Sequence, residues 1–104
     1  MAGHALFITH RTRPGMRDAV RDVWLRHMAP AVAGNPDHLD YHYCYDLTDG
    51  DVLQVFQLYR NADAAGAFLQ QPNYAAYLVE VEAMLAVPPD VQAASSQWSK
   101  SDSN

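Results

Sequence analysis

The chain has a single cysteine, Cys44, among 104 residues, so no internal disulfide can staple it. That fits a reducing compartment. It also lacks a basic surplus: seven Lys and Arg stand against twelve Asp and Glu, for a formal net charge of -5. A field of that sign repels phosphate backbones and argues against a nucleic-acid partner. Long apolar runs are missing too, so nothing in the sequence reads as a bilayer span. The short run at residues 5–8 is cut off by Thr9, His10 and Arg11, which no secretory signal would tolerate. These absences predict a soluble cytoplasmic protein with no membrane partner. Imidazole is absent from the second half: His4, His10, His27, His38 and His42 all precede residue 51.

What is present is an ordinary globular balance, with 49% hydrophobic and 18% charged residues. The reading is one domain over residues 1–98 and a polar C-terminal tail at 99–104. A domain of this size buries only roughly two-thirds of the surface its unfolded chain exposes, so its margin is thin. Residues 6–12 read as a strand ended by Arg13-Pro14-Gly15. Met16, Ala19, Val20, Val23, Trp24, His27 and Met28 then recur at helical spacing, and Pro30 predicts a kink or stop near Met28. Residues 39–46 alternate with a period of two, which only a strand can use. Thr48-Asp49-Gly50 predicts a tight hairpin turn into a third strand at 52–59. Asn61 is an N-cap for a helix over 62–70, and Pro72 opens a second helix that ends within residues 83–89. A last strand is predicted at 91–98.

The order β-α-β-β-α-β is the split βαβ, ferredoxin-like arrangement: an α+β fold with a four-stranded antiparallel sheet and helices on one face. The other face then needs a cover. Leu53 and Val55 point one way while Val52, Phe56 and Leu58 point the other, and Phe7 and Ile8 divide likewise. Each such side chain left in water costs on the order of 1.5–3 kcal/mol relative to burial. The pattern predicts a homodimer with two sheets packed face to face; the alternative is a monomer whose C-terminal strand or tail folds over that face. Tyr41, Tyr43 and Tyr45 form one stripe, assigned here to the dimer contact.

Arg-Pro-Gly-Met at 13–16, Tyr-His-Tyr-Cys-Tyr-Asp at 41–46, Val-Phe-Gln-Leu-Tyr at 55–59, Asn-Ala-Asp-Ala-Ala at 61–65, Gln-Pro-Asn-Tyr at 71–74 and Pro-Pro-Asp-Val at 88–91 follow one another along the chain. In that order and spacing the sequence resembles the antibiotic biosynthesis monooxygenase family of dimeric α+β barrel proteins. The resemblance implies a pocket between helices and sheet that takes an anthrone, a quinol or another electron-rich ring. It also implies oxygen chemistry with no cofactor, neither metal nor flavin: the site deprotonates a phenolic substrate, whose anion reduces dioxygen. The protein then supplies a base or hydrogen-bond donors and apolar walls. The family often carries a Glu and, two residues later, a Trp at the end of strand three. A His in the next helix and a Ser-Pro-His-Phe-like turn follow. Here those positions look like Gln57, Tyr59, Phe68 and Gln71-Pro72-Asn73-Tyr74. Neither Phe68 nor Asn73 accepts a proton near neutral pH, so the base lies elsewhere.

His10, on the strand face shared with Leu6 and Ile8, is the candidate base; the plainer alternative is a packed or edge histidine. Tyr59, which keeps a ring and a hydroxyl at the family's Trp position, and Asn73 are the residues expected to orient substrate oxygens. Trp24, Phe68, Tyr74 and Tyr77 offer flat surfaces that line a pocket or simply fill the core. No metal site is expected: His42 and Cys44 share a strand face, two ligands fall short of the four of structural zinc, and His38 adds little. Heme-degrading relatives carry their iron-ligating His on the second half, where this chain has none. The expected function is a cofactor-independent monooxygenase acting on a phenolic, quinol or polyketide-type ring. The alternatives are a non-catalytic dimeric small-molecule-binding protein, or an isomerase or lyase on the same scaffold.

Overall fold

The computed structural model describes residues 3–100. Strand β1 (His4–Arg11) leads into helix α1 (Arg17–His27) through a turn that the sequence dictates. Pro14 presets one central position, Gly15 takes φ 76° at the next, and Met16 N–H closes the turn on Arg13 O at 3.0 Å. Only glycine adopts that φ without strain. Helix α1 stops at Met28 as Pro30 requires, yet the chain re-enters a short helix, α2 (Ala29–Ala33), because proline in a first turn forfeits no bond. Strands β2 (His38–Tyr45) and β3 (Val52–Tyr59) follow. Helix α3 (Ala62–Leu69) is capped by Asn61, whose Oδ1 accepts from Ala64 N–H at 2.8 Å. Helix α4 (Pro72–Val81) runs into a 3₁₀ turn at Glu82–Met84, and β4 (Asp90–Ser95) closes the order.

Two local expectations are corrected. The β2–β3 connection is not a two-residue Asp-Gly turn, and Gly50 does not take a positive φ. Instead Asp46 Oδ2 accepts from Thr48 N–H, Thr48 Oγ1 and Asp49 N–H at 3.0, 2.9 and 2.8 Å, which stabilises a wider loop. Arg17 then donates to the carbonyls of Asp46, Asp49 and Val52, tying that loop to α1. Strand β4 ends at Ser95, short of the predicted Trp98. Of the predicted polar tail, residues 101–104 lie outside the described residues. No helix among the described residues is long and apolar enough to cross a membrane.

The sheet order is β2-β3-β1-β4 with every neighbour antiparallel, the order of the ferredoxin-like fold. Register decides which side chains meet the helices. Tyr41, Tyr43 and Tyr45 pair with Gln57, Val55 and Leu53, and so share their face. That face carries the core: Leu6, Val55, Leu53 and Tyr59 against Val20, Val23 and Trp24 of α1, Phe68 of α3, and Tyr77 and Val81 of α4. The tyrosine stripe is therefore not the outer contact it was expected to be. Trp24 packs on Tyr41 and Tyr43 at ring separations of 5.2 and 4.9 Å, and Tyr45 donates to Asp18 of α1 at 2.6 Å.

The same parity turns Asp40, His42, Cys44 and Gln54 to the open face, leaving a narrower apolar band than the sequence alone implies. Val52 and Leu58 are already buried within the protomer. Phe7, half exposed, packs on Phe56 at 5.3 Å. Beside them a hollow of about 640 Å³ is bordered by Phe56, Leu58 and the segment after β4, with Trp98 73% exposed at its edge.

Candidate active site

On the helix side of the sheet a cavity lies between β1, β3 and the helices. Its polar lining is His10 of β1, Tyr41 of β2 and Gln57 of β3; its flat walls are Trp24, Phe68, Tyr74 and Tyr77. Leu69, Tyr74, Pro89 and Val91, all partly exposed, form its mouth. Every residue of β4 is exposed, Val91 at the cavity included. Its volume is about 40 Å³. That holds a few waters, whereas a benzene-sized ligand needs a cavity on the order of 150 Å³. The cavity as it stands is therefore too small for an aromatic ring.

His10 is buried, and its Nδ1 has no hydrogen-bond partner among the described residues. Burial lowers its pKa from 6.5 to about 4, so the imidazole is neutral across the physiological range. The tyrosines behave in the opposite way. Burial raises the phenols of Tyr41, Tyr59 and Tyr77, which keeps them protonated and makes them donors rather than bases. Trp24 Nε1 donates to Tyr41 Oη at 3.1 Å, and the tyrosine's own proton meets no acceptor among the described residues.

Around Gln57 the bonds form a chain. Asp37 N–H donates to Asn35 Oδ1 at 3.2 Å, which turns the Asn35 amide nitrogen toward His38 Nδ1, 3.0 Å away. An Nδ1 that accepts leaves the ring proton on Nε2, and that nitrogen faces Gln57 Oε1 at 3.3 Å. Tyr59 Oη donates to the same oxygen at 2.6 Å. Burial lowers the His38 pKa, with the Gln57 contact and Asp37 opposing, so this tautomer stays neutral.

Of the residues singled out from sequence, His10, Trp24, Phe68, Tyr74 and Tyr77 line the cavity, while Tyr59 and Asn73 do not. Tyr59 is fully buried behind Gln57, so its hydroxyl serves the glutamine instead of the cavity. Gln57, Tyr41 and His38 were missed as parts of one site. Gln57 carried a signal, a polar residue on the face of a strand that is otherwise Leu, Val and Tyr. His38 carried none, because a bulge between His38 and Asp40 shifts the pairing at the start of β2. No cluster of three or more His, Cys, Asp or Glu that could hold a metal ion occurs among the described residues.

Comparison with known proteins identifies the fold and the family. A proposed antibiotic biosynthesis monooxygenase of Caulobacter crescentus superposes with a TM-score of 0.83 at 20% identity, over 89% of this chain and 88% of that one. A second, from Nitrosomonas europaea, gives 0.86 at 10% identity, over 92% and 91%. A Mycobacterium tuberculosis protein gives 0.81 at 23% identity, over 94% and 98%. These likenesses establish the fold. No protein of curated function matches at a significant level. The family model for antibiotic biosynthesis monooxygenases matches residues 4–80, from β1 into α4, and so spans every cavity residue except Pro89 and Val91. The chain belongs to the antibiotic biosynthesis monooxygenase family.

Proposed function

We propose that the protein is a cofactor-independent monooxygenase acting on a phenolic, quinol or polyketide-type aromatic ring with dioxygen. The observation that carries the reading is a neutral, unpartnered imidazole in a cavity that also holds two hydrogen-bond donors and four aromatic walls. His10 pairs with Leu53 while Gln57 pairs with Leu6, four steps further along β3, so the two groups start ~13 Å apart along the sheet. They thus stand toward opposite ends of the cavity, and a ring that widens it would present an oxygen to Gln57 and an acidic hydrogen to His10.

His10 accepts the proton, and Gln57 and Tyr41 stabilise the charge that develops on the substrate oxygen. A cation buried alone is what lowers the His10 pKa; the anion formed beside it supplies the missing partner. The electron-rich anion reduces dioxygen. For a ring methylene, one oxygen atom becomes the carbonyl and the other leaves as water with the two hydrogens that carbon carried. The walls exclude bulk water from the anion.

Oxygen uptake with a panel of anthrones and hydroquinones is the test, and a His10→Ala protein is expected to lose at least tenfold of it. Uptake unaffected by that change removes His10 from the mechanism. A non-catalytic binding protein is the second reading, favoured by the replacement of the family's Glu, Trp and His at Gln57, Tyr59, Phe68 and Asn73. It predicts ring binding without turnover, whereas turnover without oxygen uptake would mark an isomerase or lyase.

The reading includes a homodimer packed through the open sheet face, supported by half-exposed Phe7 and largely exposed Trp98. Sedimentation at micromolar concentration is expected to find two chains per particle, and a Phe7→Glu change to give one. Well-folded single chains in the wild type would overturn the pairing.

A further inference from the structure

We propose that Gln57 is the specificity-determining donor of the cavity, selecting ligands that present a carbonyl or phenolate oxygen, and that His38 and Tyr59 are positioning residues that hold its amide in the donating orientation. The inference deepens the oxygenase reading by naming what the site recognises, and it rests on that reading only for the chemistry that follows binding.

A glutamine amide has one acceptor end and one donor end, and a buried amide free to rotate would offer either. Here the acceptor end is fully engaged, by Tyr59 Oη at 2.6 Å and His38 Nε2 at 3.3 Å. Rotating the amide would set its NH₂ against the His38 Nε2–H, a fixed donor, and would end the donation from the Tyr59 hydroxyl. His38 cannot switch roles to permit this, because Asn35 donates into its Nδ1 and Asn35 is itself fixed by Asp37 N–H. The ring is further held by Tyr59 at 4.3 Å and, edge-on, by Phe68 at 4.5 Å. The Gln57 amide nitrogen meets no acceptor among the described residues although the side chain is only 4% exposed and lines the cavity. That donor opens onto the cavity, where an arriving oxygen acceptor pairs with it and a hydrocarbon displaces water without replacing the bond.

The family's Glu at this position would behave differently. A carboxylate also accepts from Tyr59 and His38 but has no N–H to offer, so the same frame would repel a substrate anion. Glutamine converts the end of the cavity from acceptor to donor.

The probes are acetophenone and isopropylbenzene, near-isosteric rings of which only the first accepts a hydrogen bond, titrated by Trp24-sensitive fluorescence. Gln57→Leu is expected to weaken acetophenone at least fivefold relative to its effect on isopropylbenzene. His38→Phe, which keeps the ring contacts and removes the N–H, is expected to shift the same ratio in the same direction by less. A ratio unchanged in both variants overturns the proposal. Should Gln57→Leu fail to fold, the wild type decides: acetophenone is expected to shift the Gln57 side-chain amide NMR signals, and no shift sinks the idea. Since neither measurement involves oxygen, acetophenone selectivity in a protein without oxygen uptake overturns the oxygenase reading and supports this one. Oxygen uptake with no selectivity does the reverse.

Discussion

As the pH falls from 7 to 4, the wild-type protein is expected to lose ~3 kcal/mol of stability that a His10→Leu variant does not lose. In the unfolded chain the imidazole has its ordinary pKa of 6.5, whereas burial lowers it to about 4 in the fold. Between those values the unfolded state binds more protons, so stability falls as acid is added. The difference reaches ~2 kcal/mol by pH 5 and ~3 kcal/mol by pH 4. Carboxylates held below their usual range, Asp46 and Asp49 by hydrogen bonds in the β2–β3 loop and Glu80 by Arg26 and His27, also lose stability in acid. They are common to both proteins and cancel in the comparison. Urea unfolding at pH 7, 5 and 4 measures it. Parallel curves for the two proteins would mean that His10 is solvated in solution, and the base assigned to the cavity would lose its neutral, buried character.

Trp24→Ala is expected to cost ~3–5 kcal/mol out of a total on the order of 5–15 kcal/mol. Trp24 is 9% exposed, sits between α1 and β2, touches Tyr41 and Tyr43, and donates its indole N–H to Tyr41. Truncation removes all of these and leaves the Tyr41 hydroxyl with no donor. For a domain near 100 residues this corresponds to a fall in Tm of at least ~12 °C. Trp24→Phe keeps most of the ring and is expected to lose only ~1–2 kcal/mol, chiefly the hydrogen bond. Calorimetry of both variants checks the ordering. Equal losses would show that the bond to Tyr41, rather than the buried area, carries the site.

The two residues illustrate how unevenly the site was legible. Trp24 could be read because the apolar stripe of α1 repeats at helical spacing. His10 could be placed because β1 alternates, which set it on the face of Leu6 and Ile8 before any partner was known. Gln57 could be noticed but not interpreted, since its role depends on what lies next to each end of its amide. Tyr59, two residues along β3, follows from strand alternation, whereas His38 on β2 is brought in by cross-strand pairing and a bulge that no local pattern announces. The tyrosine stripe shows the same limit: its alternation was plain, but which face it took was not.

The order of elements, the breaks at Pro14-Gly15 and Pro30, the Asn61 cap and the ferredoxin-like order of strands and helices were all determined by the sequence, because backbone preference and hydrophobic period act within a few residues of one another. Strand register was decided only by the tertiary structure. A slip of one residue exchanges the two faces of a strand, so register put Tyr41, Tyr43 and Tyr45 beneath the helices, brought His38 to Gln57 and left His10 Nδ1 without a partner.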